Sequence, residues 1–242
     1  MGKSSKDKDR RAVVEQMRRE QERSEKRRTY AIVAACAAVG LVIVGLTLPS
    51  VIKQEKLEGR DLTAIGVSAK AAGCQDVKTE TASGVSDHKP DGEQIFYESA
   101  PPSFGPHYAA AAPMSRKFYV AKDRPLLGSL VHNLEHGYSI LWYDETLAEN
   151  KEQLAEVKAI AGKFPGASEL KYKFIVAPWT ADDGESFPKG THVALTHWSV
   201  AGATGDEKGT GITQYCAAPS GEAVNTFVED YPYSDSPEPN AL

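Results

Sequence analysis

Residues 124 to 146 read RPLLGSLVHNLEHGYSILWYDET, and the hydrophobic period changes inside them. Leu127, Leu130, Val131 and Leu134 recur at spacings of three and four, as one face of a short helix does. Gly137 then offers a residue that enters the left-handed conformation without steric cost and so ends a helix, and YSILWYD continues with the aromatic and β-branched character of a buried strand. A helix that turns directly into such a strand predicts an α+β domain in which sheet and helix share a core.

Reading outward toward the C-terminus, Leu147 to Lys163 predicts a further helix with Leu154, Val157 and Ile160 as its apolar stripe. KFIVAPWT (173 to 180) and HVALTHWSV (192 to 200) predict two strands, and GEAVNTFVEDY a closing helix. Alternation puts Val193, Leu195, His197 and Ser199 on one face of HVALTHWSV and His192, Ala194, Thr196, Trp198 and Val200 on the other. Both faces carry apolar side chains, so this strand is expected at the centre of a small mixed or antiparallel sheet, with His197 a satisfied core residue. The last segment, YPYSDSPEPNAL (231 to 242), has the composition of a disordered tail.

Toward the N-terminus, QIFYES (94 to 99) suggests an aromatic strand. It runs into a segment where Pro101, Pro102, Gly105 and Pro106 disfavour regular structure and hold His107 in a stiff loop. Residues 82 to 93, rich in Gly, Ser, Asp and Pro, read as a solvated loop that carries His88. The domain therefore extends from 74 to 230, preceded by a juxtamembrane connector over 50 to 73.

Before that connector lies YAIVAACAAVGLVIVGLTLP (30 to 49), twenty residues without a charge, the length an α-helix needs to cross a hydrocarbon core. A cleaved signal peptide is the alternative. This run, however, is long for one, follows a long charged stretch, and has no A-x-A site at its end. The first 29 residues hold eleven Lys and Arg against six Asp and Glu, whereas residues 49 to 242 hold 17 against 27. With Lys26, Arg27 and Arg28 abutting the run, the positive-inside bias keeps the basic arm (1 to 29) in the cytoplasm and puts the C-terminal domain outside a plasma membrane crossed once. The acidic domain is not built for nucleic acid; the bilayer, and an envelope or membrane-complex protein, are the expected partners. Of three cysteines, Cys36 lies in the apolar run, which leaves Cys74 and Cys216 to form a disulfide in an oxidising compartment, or to persist as two buried thiols.

PPSFGPHY (101 to 108), FYV (118 to 120) and VHNLEHGYSILWYDE (131 to 145) resemble the signature of the "domain of unknown function 3105" family of actinobacterial single-pass membrane proteins. The likeness runs over about residues 74 to 230. One departure is Phe104, a bulky ring where that family has a small hydroxyl residue. The resemblance implies the topology and directs attention to residues; it brings no established activity.

The histidines carry the chemical signal. On a helix, His132 and His136 stand one turn apart on the same face, a spacing at which two imidazoles share a metal, with Glu135 beside them. His107 is the third ligand expected, and Met114 adds a thioether if the metal is copper rather than zinc. The competing readings are histidines that satisfy backbone groups in a metal-free interaction domain, and a zinc hydrolase in which HNLEH is an H-x-x-E-H element with Glu135 as base. Against the last, Gly137 ends the helix directly after the second His. Serine-hydrolase elbow, phosphate-binding Gly-rich loop and C-x-x-C motifs are absent. The expectation is thus a metal-binding domain rather than an enzyme, with His107, His132, His136 and Glu135 as the metal set.

Overall fold

A computed structural model describes residues 3–83, 87–204 and 207–242. Two compact units are found, Met1–Lys53 and Gln54–Leu242. The first consists of helix α1, which spans Lys3–Glu58 and runs on into the second unit. One helix among the described residues is long and apolar enough to cross a membrane, and it is this one. Its apolar side chains, Ile32, Val33, Leu41, Val42 and Leu46 among them, are exposed along it. The connector is therefore partly helical, and regular structure continues to Glu58 before the chain turns.

The second unit is built on a five-stranded sheet of order β1 (Lys78–Ser83), β7 (Glu207–Cys216), β6 (Val193–Ser199), β4 (Ser139–Tyr143), β5 (Phe174–Pro178). All pairs are antiparallel except β4 and β5, which run parallel. A parallel pair needs a crossover, and helices α3 (Glu145–Glu149) and α4 (Lys151–Ala161) supply it. The single helix expected over 147 to 163 is two because Asn150 interrupts it, its Oδ1 accepting the amides of Glu152 and Gln153 at 3.1 and 3.2 Å as the cap of α4. Strands β4, β5 and β6 are buried at every residue, so both faces are covered. On one, Leu141, Val176 and Leu195 pack with Val157 and Ile160 of α4 and with Val224 and Phe227 of α5 (Gly221–Asp230). On the other, Ile140, Trp142, Ile175 and Trp198 pack with Leu130 and Leu134 of α2 (Leu127–Glu135). The reading of β6 as central holds, and His197 is wholly buried between the carbonyl oxygens of Tyr138 and Asp235, at 3.2 and 2.8 Å.

Four differences from the sequence reading matter. Residues 94 to 99 form no strand; Phe96 points outward and Tyr97 instead donates its hydroxyl to the Pro106 carbonyl at 2.6 Å. Strands β1 and β7 were not expected, their Thr, Gly and Lys content hiding the alternation. Of the loop foreseen over 82 to 93, residues 84–86 lie outside the described residues, and His88–Lys89 forms a short strand, β2, parallel to β3 (His107–Tyr108). The tail 231 to 242 is packed on the domain rather than disordered: Lys173 binds the carbonyls of Pro239 and Ala241, and Ser236 is buried. Composition misled here because the tail contributes main-chain oxygens, which no sequence pattern displays.

Cys74 and Cys216 are joined by a disulfide across a sequence separation of 142.

Candidate metal centre

Helix α2 positions the site, and its ending is the reason. After His136, Gly137 takes φ of 89°, and the amides of Gly137 and Tyr138 turn back onto the carbonyls of Leu134 and Asn133 at 3.0 Å each. This is the Schellman arrangement, in which a left-handed glycine closes the last turn. The Glu238 amide takes the next carbonyl, that of Glu135, at 2.9 Å, and Lys173 Nζ donates to that of His136 at 2.6 Å. At the other end Gly128 allows close approach to β3, since a Cβ there would come within 2.7 Å of the Tyr108 ring. Wholly buried Asn133 holds the facing segment as a strand would, accepting from the Ala112 amide and donating to its carbonyl, both at 2.9 Å.

His107 and His88 meet because β2 and β3 pair with these two residues in register. Ring centroids of His107 and His132 are 4.8 Å apart, of His88 and His132 5.0 Å, and of His132 and His136 4.3 Å. Ligand-type atoms of His88, His107, His132 and Glu135 all lie within 4.8 Å of one another. Ligands of one tetrahedral zinc ion are about 3.4 Å apart, so the group fits a cation after its widest pair contracts by about 1.4 Å. Of the four residues singled out from sequence, three are therefore in this group. His136 stands beside it, its Nε2 at 2.8 Å from that of His132. The fourth member is His88, which composition had assigned to solvent; it is exposed, yet one edge of its ring faces His107.

Three of the imidazoles are oriented alike. Nδ1 of His107 lies 2.8 Å from the Gly105 carbonyl, Nδ1 of His132 2.6 Å from that of Tyr108, and Nδ1 of His136 3.0 Å from the main-chain oxygen of Leu242. Carbonyl oxygens only accept, so each Nδ1 carries the hydrogen, and each neutral ring presents Nε2 as a lone pair. This is the tautomer that second-sphere carbonyls impose on metal-ligating histidines. Glu135 Oε2 is 2.9 Å from His107 Nε2, but the two are not aligned as a hydrogen bond, and both atoms are buried without another partner.

Electrostatics divide the cluster, keeping His132 and His136 neutral and favouring a proton on His107. Burial lowers His107, but contact with Glu135 and the Gly105 carbonyl outweighs it and holds the imidazole above its ordinary value. Burial raises Glu135, and its neighbour His107 more than reverses that, leaving an anionic carboxylate. Burial pushes His132 down to about 4, and also lowers His136. Both rings are thus held neutral, and with each Nδ1 hydrogen on a main-chain oxygen the two nitrogens 2.8 Å apart face each other as lone pairs that a cation would relieve. A cavity of about 440 Å³ opens beside them, lined by Met114, His132, His136 and Leu242 among others. Met114, singled out as a thioether donor, is accordingly on the wall next to this pair.

No curated protein and no solved structure matches the chain. Residues 88–242, well over half of the chain, match the family described as protein of unknown function (DUF3105), in the region that contains every residue of the cluster. The chain belongs to the DUF3105 family of proteins of unknown function.

Proposed function

We propose that this is a membrane-anchored extracytoplasmic domain that binds a transition metal, zinc or copper, through its histidine cluster, and that it serves in metal handling or as an accessory subunit of a membrane complex. The observation that carries the reading is the placing of three Nδ1 atoms against main-chain oxygens. Three imidazoles have Nδ1 committed to main-chain oxygens while their Nε2 lone pairs turn inward beside a buried carboxylate. A histidine kept only for packing gains nothing from a second nitrogen left unpartnered in a buried space, and His107 Nε2 is such a nitrogen. Neutral nitrogen donors with one carboxylate suit zinc or copper(II), and a nearby thioether favours copper(I).

Support for the anchor comes from the apolar stretch of α1, whose basic N-terminal flank argues for a cytoplasmic arm. The Cys74–Cys216 disulfide suits an oxidising compartment beyond the bilayer. The hydrolase reading of HNLEH draws less support, because Glu135 lies against His107 and α2 ends at His136. The metal-free interaction reading is favoured by Phe96, 79% exposed at a cavity of about 350 Å³ that Tyr97 and Phe104 also line. Elemental analysis of full-length protein, purified without chelators from cells grown with zinc and copper, tests the proposal. At least one equivalent of metal per chain, lost in His107→Ala, is expected. Metal-free wild-type protein that also fails to take up either ion leaves the interaction reading.

A further inference from the structure

The cluster is larger than one coordination sphere, and its excess lies on one side. His136 is not among the four residues that converge, yet its Nε2 is 2.8 Å from that of His132 and 3.4 Å from Glu238 Oε2. Two ligands about 2.1 Å from a common metal are about 3.0 Å apart at a right angle and about 3.4 Å apart at the tetrahedral angle. The 3.4 Å between His136 and Glu238 is that of neighbours around one ion, and the 2.8 Å between His132 and His136 reaches the tetrahedral spacing by opening about 0.6 Å. We infer that the site holds two cation positions that share His132: an inner one built by His88, His107 and Glu135, and an outer one built by His136 and Glu238, with Met114 on the cavity wall beside it. This rests on the metal-binding reading and extends it.

The two positions differ in access and in chemistry. His107 and Glu135 are buried to 0% and 5% side-chain exposure, while Glu238 is 54% exposed and the cavity at Met114, His132 and His136 reaches solvent. An imidazole nitrogen ligates one ion at a time, so with both positions filled His132 completes one set and the outer ion keeps His136, Glu238 and water, which makes the second step the weaker one. A cation taken up by His136 and Glu238 would move inward by exchanging these ligands around His132, displacing any proton held between His107 and Glu135 as it arrives. The outer position takes zinc or copper(II) through nitrogen and carboxylate. Its thioether neighbour adds affinity for copper(I) that the inner set lacks.

Equilibrium dialysis of metal-stripped full-length chain in detergent against zinc, with elemental analysis, tests this. Wild-type protein is expected to bind two equivalents in separate steps. His136→Ala and Glu238→Gln should each weaken the second step at least tenfold and leave the first, whereas His107→Ala should abolish the tighter one. Glu238→Gln replaces an exposed side chain and keeps its shape, so loss of folding does not confuse the result. Under reducing conditions Met114→Leu should weaken copper(I) binding and leave zinc binding alone. A single zinc equivalent in wild-type protein, or two that survive both outer variants, overturns the shared arrangement while the metal-binding reading stands. Failure to bind zinc or copper(I) at all removes both.

Discussion

Replacing Lys173 by Met tests how the tail is held. The ammonium is buried and donates to three main-chain oxygens, of His136 at 2.6 Å, Pro239 at 2.8 Å and Ala241 at 2.6 Å. Hydrogen bonds from a charged donor contribute about 1.5 to 3 kcal/mol each, so three amount to about 4 to 9 kcal/mol before the cost of burying the charge. That cost is several kcal/mol, and it is visible in the ammonium being pushed down to about 8 by burial. Methionine regains the packing without the charge, but leaves the His136 carbonyl at the end of α2 unpartnered. The net loss expected is about 3 kcal/mol, which for a unit of this size lowers the melting temperature by roughly 6 to 12 °C. Circular dichroism melts give the stability, and amide hydrogen exchange over residues 235 to 242 reports the tail separately. Faster exchange there should accompany the lower melting temperature. If the tail stays as protected in Lys173→Met as in wild type, the ammonium is not what holds it and the reasoning fails.

Gly137→Ala should act in the same direction by another route: at φ of 89° a Cβ meets the Tyr233 carbonyl, and a loss above about 1 kcal/mol with a displaced tail is expected in the same two assays. Burial holds the folded-state value of His132 at about 4, below the ordinary 6.5, so the unfolded chain binds the extra proton first as pH falls. The metal-free protein should therefore lose up to about 3 kcal/mol between pH 6.5 and 4, with His136 and His197 adding in the same sense and His107 opposing it; urea titrations that show no such fall would contradict the burial of His132. Cys74→Ser with Cys216→Ser should cost as much as about 5 kcal/mol by loop entropy, read from the urea midpoint, and two alkylatable thiols in unreduced wild-type protein would refute the bridge. A phosphatase fused after Leu242 should be active only if it lies beyond the plasma membrane, and activity restricted to a cytoplasmic reporter would reverse the proposed orientation.

What the sequence disclosed of this site depended on local pattern. The helix, its end at Gly137 and the strand after it follow from a change of period within 20 residues, and they put His132 and Glu135 in the cluster and His136 beside it. The cysteines were paired by elimination. His88 was missed because its partner is His107, nineteen positions away, through a two-residue parallel pairing that leaves no periodicity. Lys173 and the tail were missed for a related reason: their contacts run between one side chain and main-chain oxygens about 65 residues distant. Asn133 reads as an ordinary polar helix residue, and only its bidentate grip on Ala112 shows that it sets the distance between α2 and the wall that carries Met114.

The Cys74–Cys216 bond also decides how the domain responds to tension. A pull along α1 enters the folded unit at Gln54 and, on reaching Cys74, crosses directly to Cys216, so the 141 residues between the two cysteines are mechanically slack. His88, His107, His132, Glu135 and His136 all sit in that shielded loop. Glu238 does not: a partner that drew on the C-terminal segment would load α5 and the tail alone. Force applied between the two ends would peel Glu238 from His136 while the inner histidines kept their places.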